Sequence, residues 1–290
     1  MAKELTQETI DLLLGDAVYA VLCASREVEK IYQSSDFGVN LKSNSTPLTK
    51  ADLISDNEIR ARLMHTYIPL LSEEGRTILY EERVNWSLFW LVDPVDGTKE
   101  FIKKNGEFTV NVALIENGKP IIGVISVPAI KKLYFAAEGV GSYRMDLKDS
   151  DAALSREACS VEQLVKAREI TGTVKRLPIE ELRPARFSIV YSRSHLSPEM
   201  DGYLQEVRKA HPDMEEPKPY GSSLKFCLVA EGSADLYPRI TPTSEWDTAA
   251  GQAICVYADA EVIDKEKGTP LTYNTESMEN PAFLARRKRN

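Results

Sequence analysis

The sequence predicts a chain built in two styles, α+β in its first half and α/β in its second. Three observations predict this. An apolar stripe at helical spacing runs from Ile10 to Ile31. Alternating apolar residues between Phe108 and Val127, interrupted by Asn117-Gly118, read as an antiparallel hairpin. From Phe187 onward, short apolar strands alternate with helical segments. At 290 residues the chain exceeds the usual size of one domain. The charged, polar stretch 146–183, with Pro178 and Pro184 near its end, is where the boundary is expected. That gives an α+β domain over 1–183 and an α/β domain over 184–290.

Taken in order, Thr6 can cap the first helix, whose face Ile10, Leu13, Leu14, Ala17, Val21, Ala24, Val28 and Ile31 makes it scaffold. Residues 33–48, rich in Ser and Asn and holding Pro47, are too polar and aperiodic for core and predict a loop. Thr49-Lys50-Ala51-Asp52 opens a second helix with Ile59, Leu63 and Tyr67 on one stripe, closed by Pro69. Its Thr49-x-x-Asp52 pattern has the form of a capping box, so Asp52 can be a carboxylate bonded to its own helix. Leu70-Leu71-Ser72 is a short strand ending in Glu73-Glu74-Gly75. Leu88 to Val92 reads as a strand buried on both faces, which Pro94, lacking an N–H, should end. After the hairpin, Leu133–Ala136 and Gly141–Met145 add two more antiparallel strands.

The second half opens with the strand Phe187–Tyr191, running into Ser192-Arg193-Ser194-His195, and a helix over Glu199–Ala210. Gly221-Ser222-Ser223 precedes a helix Leu224–Glu231 that stops at Gly232, and Ser222 is placed to cap it. A strand Ala234–Tyr237, a helix Thr248–Tyr257 opened by Thr243–Asp247, and a last strand Glu261–Ile263 complete the expected elements.

Composition excludes several functions. Hydrophobic residues at 43% and charged residues at 28% suit a globular core, and a net charge of −8 argues against nucleic-acid binding. Cys23, Cys159, Cys227 and Cys255 lie far apart and read as buried thiols rather than a disulfide frame or zinc site. Lys3, Glu4, Glu8 and Asp11 exclude the apolar core of a signal peptide, and no window reaches the roughly 18 apolar residues of a membrane span. A cytoplasmic protein is expected. Arg286-Arg287-Lys288-Arg289 reads as a solvated basic tail, with weak contact to an acidic membrane surface as the alternative.

The chemistry concentrates in Asp93-Pro94-Val95-Asp96-Gly97-Thr98, two carboxylates at a strand's exit followed by a glycine and a hydroxyl. Such a stretch offers hard oxygens to a cation and backbone N–H groups to an anion, the needs of phosphate chemistry. The plainer reading is a chain reversal at Asp96-Gly97. Further acids sit at element ends: Asp52, Glu73, and Asp247, which is also in capping-box register with Ser244.

Asp93-Pro94-Val95-Asp96-Gly97-Thr98, Glu73-Glu74 and Trp246-Asp247-Thr248-Ala249-Ala250-Gly251 resemble the signatures of the inositol monophosphatase-like, lithium-sensitive phosphatases. Ser192-Arg193-Ser194-His195, Gly221-Ser222-Ser223-Leu224-Lys225-Phe226-Cys227 and Asp235-Leu236-Tyr237-Pro238-Arg239 are similar to those of its 3′(2′),5′-bisphosphate nucleotidase branch. The likeness spans about Pro47 to Pro281. It implies a layered α/β/α/β/α sandwich of the inositol monophosphatase and fructose bisphosphatase type, with an antiparallel sheet in the first half and a mixed sheet in the second.

The resemblance also implies a site. Glu73, Asp93, Asp96, Asp247 and the Val95 carbonyl would hold two or three magnesium ions, with Glu74 behind them and Asp93 bridging. Gly97 and Thr98 would receive the scissile phosphate through their N–H groups, and Thr98 with Asp52 would position and activate the attacking water. His195, Ser222, Lys225 and Arg239 would contact the nucleotide. The implied reaction is magnesium-dependent hydrolysis of adenosine 3′,5′-bisphosphate to AMP and phosphate, with 3′-phosphoadenylyl sulfate as a second substrate. The alternatives are an inositol or sugar monophosphatase of the same fold and a catalytically inactive nucleotide-binding regulator. The sequence leaves monomer and homodimer both open.

Overall fold

The computed structural model describes residues 5–34, 36–42, 47–148, 156, 159–167, 174–194 and 197–288. Helix α1 (Gln7–Gln33) starts where the Thr6 hydroxyl accepts from the Thr9 amide, and its stripe from Ile10 to Val28 is buried. Where an irregular loop was expected, β1 (Asn40–Leu41) pairs with β2 (Pro47–Leu48). Helix α2 (Lys50–Leu63) follows under a complete Thr49–Asp52 capping box. Then come β3 (Leu70–Ser72), α3 (Tyr80–Arg83), β4 (Leu88–Asp96), α4 (Thr98–Ile102), β5 (Thr109–Glu116), β6 (Lys119–Val127), β7 (Lys132–Ala137), β8 (Gly141–Asp146) and β9 (Val174–Arg176).

Strands β3 to β9 form one seven-stranded sheet in chain order, with β3 parallel to β4 and the later neighbours antiparallel. The β5–β6 turn is the expected one: Asn117 and Gly118 both have positive φ, 49° and 77°. Pro94, however, does not end β4. The strand continues to Asp96, and its register with β5 shifts between Asp93 and Asp96, so that Pro94 and Val95 stand opposite Val110 alone. The proline thus falls in a bulge, where a missing N–H costs the ladder little.

The second half comprises β10 (Val190–Ser192), α5 (Pro198–Ala210), β11 (Lys218–Tyr220), α6 (Leu224–Glu231), β12 (Leu236–Arg239), β13 (Thr243–Ser244), α7 (Glu245–Val256), β14 (Ala260–Asp264), β15 (Glu279–Asn280) and β16 (Phe283–Arg287). β10 and β11 are parallel, and β16 lies between β12 and β14, antiparallel to both. An Ile189–Leu236 bridge joins the two groups into a mixed arrangement. The expected basic tail is corrected here: Arg286 and Arg287 belong to β16, where Arg286 meets Glu261 at 2.6 Å and Arg287 donates to the Gly232 carbonyl at 3.4 Å. Arg289 lies outside the described residues.

Residue parity along the strands sets the layers. One face of the large sheet, with Val110, Val112, Leu114, Ile122 and Val124, packs on α1 and α2. The other, with Ala113, Ile115, Ile125 and Val127, packs on α6 and α7, which the second sheet covers through Tyr237, Val262, Phe283 and Ala285. Ile189 and Leu236 turn outward onto Met214 and the α5 residues Leu204 and Val207. The result is the five-layer α/β/α/β/α sandwich. All four cysteines are buried, and none of them forms a disulfide. Among the described residues no helix is long and apolar enough to cross a membrane.

Candidate active site

A cleft of about 380 Å³ opens where the end of β4 meets the N-terminal ends of α6 and α7. Side chains three apart on a regular strand point to opposite faces. The extra residue of the Pro94–Val95 bulge removes that half-step, and Asp93 and Asp96 converge. Asp247, in the first turn of α7, completes a cluster whose carboxylate oxygens lie within 4.8 Å of one another. Asp247 keeps one oxygen on the Ser244 amide at 2.8 Å, so the capping role and the place in the cluster coexist. Glu73 follows β3, with its amide on the Val92 carbonyl at 3.2 Å, and lines the same cleft.

Burial first, and then mutual repulsion, push the Asp93 carboxyl well above the usual range, and the same causes raise Asp96 and Asp247. Glu73 is among the charges that raise all three. Among the described residues Asp93 Oδ1 is buried without a hydrogen-bond partner. Crowded, desolvated oxygens with an unsatisfied acceptor at their centre match what a small hard dication needs. The donor set therefore fits magnesium.

Asp52 sits under the cluster, 1% exposed, with its pKa raised chiefly by burial. Its Oδ2 accepts from the Thr49 amide and hydroxyl at 2.7 and 2.6 Å, while Oδ1 faces the Thr98 hydroxyl at 3.3 Å. That hydroxyl is also 3.3 Å from the Val95 carbonyl. Gly97 has φ 89°, and a Cβ there would come 3.0 Å from the Glu107 carbonyl and 3.2 Å from Ser222 Cβ. Glycine is thus required both by conformation and by space.

Across the cleft, Ser222 holds a left-handed φ of 49° and its hydroxyl accepts from the Leu224 amide at 3.3 Å, but it lies one residue before the N-cap of α6, which is Ser223 and not Ser222 as expected. Lys225 is 2% and Arg239 7% exposed. Lys225 reaches the Tyr220 carbonyl at 3.2 Å and that of Ser222, and burial lowers its pKa to about 8. Arg239 donates to the carbonyls of Thr241 and Pro242 at 3.1 and 3.3 Å. Both basic groups line the cleft. His195 lies outside the described residues, and its neighbour Ser194 lines the cleft and bonds Glu100.

Two features escaped sequence reasoning. Lys42, in the stretch where the sequence predicts a loop, reaches Glu73 at 2.8 Å and also Glu74. Burial disfavours its charge, yet the two carboxylates hold it above the ordinary lysine range. Ser223, beside the singled-out Ser222, donates toward Asp96 at 2.7 Å. Nothing in Gly221-Ser222-Ser223 distinguishes the two hydroxyls, since that depends on how α6 docks.

Comparison with known proteins agrees with this geometry. The model of the inositol monophosphatase family matches residues 11–288. The 3′(2′),5′-bisphosphate nucleotidase CysQ of Salmonella typhimurium is 42% identical over 272 residues, covering 93% of each chain. Its counterpart in Escherichia coli K12 is 40% identical over the same shares. The crystal structure of CysQ from Bacteroides thetaiotaomicron, described as a bacterial member of the inositol monophosphatase family, superposes with a TM-score of 0.84 at 43% identity, covering 96% of this chain and 98% of that one. The inositol monophosphatase of Thermotoga maritima shares the fold, with a TM-score of 0.67 at 18% identity. With a cluster of acids at the bulged end of β4 and a family match along nearly its whole length, the chain belongs to the inositol monophosphatase family.

Proposed function

We propose that this chain hydrolyses adenosine 3′,5′-bisphosphate to AMP and phosphate, with magnesium as its cofactor and 3′-phosphoadenylyl sulfate as a second substrate. The observation that carries the reading is the pairing, in one cleft, of an acidic cluster with two buried basic groups, Lys225 and Arg239. An acidic cluster alone suits any phosphomonoester. A second, non-reacting phosphate calls for cationic donors as well, a role that suits Lys225 and Arg239. The activity named for relatives at 40–42% identity over most of the chain supports the same assignment.

In this reading Glu73, Asp93, Asp96, Asp247 and the Val95 carbonyl hold the cations, with Glu74 behind Glu73. When bound, magnesium supplies charge neutralisation and Lewis acidity. The chain supplies the rest. Gly97 and Thr98 offer N–H groups to the scissile phosphate. Thr98 aligns the attacking water, and Asp52 Oδ1, 3.3 Å from that hydroxyl, is the proton sink. The new bond forms between the water oxygen and phosphorus as the bond from phosphorus to the ribose 3′-oxygen breaks. No covalent phospho-enzyme is needed.

Phosphate release from adenosine 3′,5′-bisphosphate and from inositol 1-phosphate, each with magnesium, tests the proposal. Faster hydrolysis of the nucleotide, with AMP as product, is expected. Preference for inositol phosphate would replace it with the sugar-phosphatase reading, and nucleotide binding without turnover would leave a regulator.

A further inference from the structure

The Ser223 hydroxyl makes three polar contacts, none of them to its own helix. It lies 2.7 Å from Asp96 Oδ2 and 2.8 Å from the Asp247 backbone carbonyl, and it accepts from Asn111 Nδ2 at 3.1 Å. The residue stands at the N-cap of α6 yet makes no capping bond from its side chain. Both Ser223 and Asn111 are almost fully buried, at 2% and 1% exposure. Asn111 belongs to β5, where it is the ladder partner of Asp93. One hydroxyl therefore joins β5, the bulged end of β4, α6 and the first turn of α7.

A hydroxyl has a single proton and can accept two bonds. With Asn111 donating to the oxygen, the proton is directed toward Asp96 or the Asp247 carbonyl, and the negative Asp96 carboxylate is the stronger acceptor. We propose that Ser223, oriented by Asn111, is a positioning residue that fixes the Asp96 carboxylate and ties it to the start of the helix bearing Asp247. The two acids, one from each half of the chain, then present their oxygens in one geometry. The inference rests on the metal-site reading above. It accounts for the hydroxyl at the second of two adjacent serines, since alanine there gives Asp96 no donor.

Mn2+ binding to the full chain, followed by electron paramagnetic resonance, tests this without recourse to turnover. Loss of a donor behind a metal ligand typically weakens affinity about 10- to 100-fold. Ser223→Ala is expected to raise the Mn2+ dissociation constant roughly tenfold, and Ser223→Thr, which keeps the hydroxyl, to restore it to within about threefold. Thermal unfolding in chelator should separate the metal-free forms of wild type and Ser223→Ala by much less than unfolding in Mn2+ does. If Asp96→Asn loses Mn2+ while Ser223→Ala binds it like wild type, the positioning role is overturned and the metal site stands. If Asp96→Asn also binds like wild type, the metal-site reading falls and takes this inference with it. Should Ser223→Ala not fold, Asn111→Leu decides: several-fold weaker Mn2+ binding supports the role, and wild-type binding overturns it.

Discussion

Asp52 divides its carboxylate between two partners: Oδ2 is held by Thr49 and Oδ1 faces the Thr98 hydroxyl at 3.3 Å. A cap and a catalytic role are usually rival explanations of such a residue, and in the proposed reading each takes one oxygen. The cap fixes the rotamer that the second oxygen needs. Asp52→Asn keeps most of the cap and removes the proton acceptor. Turnover should fall by roughly a hundred- to ten-thousand-fold while stability drops by about 1 kcal/mol or less. Steady-state kinetics beside chemical denaturation checks this, and equal damage to both would reduce Asp52 to a structural cap.

Asp93 is 1% exposed, with one orphaned oxygen and the charges of Glu73, Asp96 and Asp247 around it. Asp93→Asn should abolish magnesium-dependent turnover yet stabilise the metal-free protein, raising its unfolding midpoint in chelator by about 2–4 °C through relief of repulsion. Because the folded-state pKa is raised, the wild-type penalty is absent in acid and grows as pH rises past the ordinary carboxyl range. Differential scanning calorimetry at pH 5 and pH 8 measures the difference, which should be larger at pH 8.

Gly97→Ala places a methyl group 3.0 Å from the Glu107 carbonyl at a φ of 89°. The left-handed conformation costs a non-glycine residue about 1–2 kcal/mol before any clash. Stability should fall by at least that amount. The KM for nucleotide should rise as well, since the two N–H groups offered to phosphate would move.

Lys225 is charged only below about 8. If it holds the second phosphate, KM for the bisphosphate should climb as pH rises through that value, while Lys225→Arg should stay flat past pH 9. The sign for stability is opposite. Burial lowers the folded-state pKa, so the protein gains stability as pH rises from about 8 toward the ordinary lysine value, and Lys225→Met should lack that gain. Bound phosphate would raise the lysine pKa, so the profile is best read from kcat/KM.

The parts of the fold legible in the sequence were those set by local chemistry. The α1 stripe, the Asn117-Gly118 turn and the Gly232 stop, at φ 91°, each follow from spacing or a single residue's conformational freedom. The parts missed depend on distant partners. Arg286 and Arg287, read with Lys288 and Arg289 as a basic tail, close the strand Phe283-Leu284-Ala285-Arg286-Arg287. That segment is a strand because Phe283 and Ala285 face the core while Arg286 pairs with Glu261. The acids of the site were visible as a list, and the convergence of Asp93 with Asp96 was implied by the family resemblance and not by any local pattern. It requires a bulge that no pattern of three residues announces. Lys42 was hidden for a similar reason, since an aperiodic stretch gives no hint that it folds back on Glu73.

Strand β16 follows both of its neighbours in chain order and lies between them. During synthesis β12 and β14 must therefore wait, each with an unsatisfied edge, until residues 283–287 arrive to bridge them. A ribosome stalled before Phe283 would hold a chain whose large sheet can already form but whose inner helices lack their outer cover. Products truncated at that point are expected to expose two unpaired edges and so to aggregate more readily than the full chain.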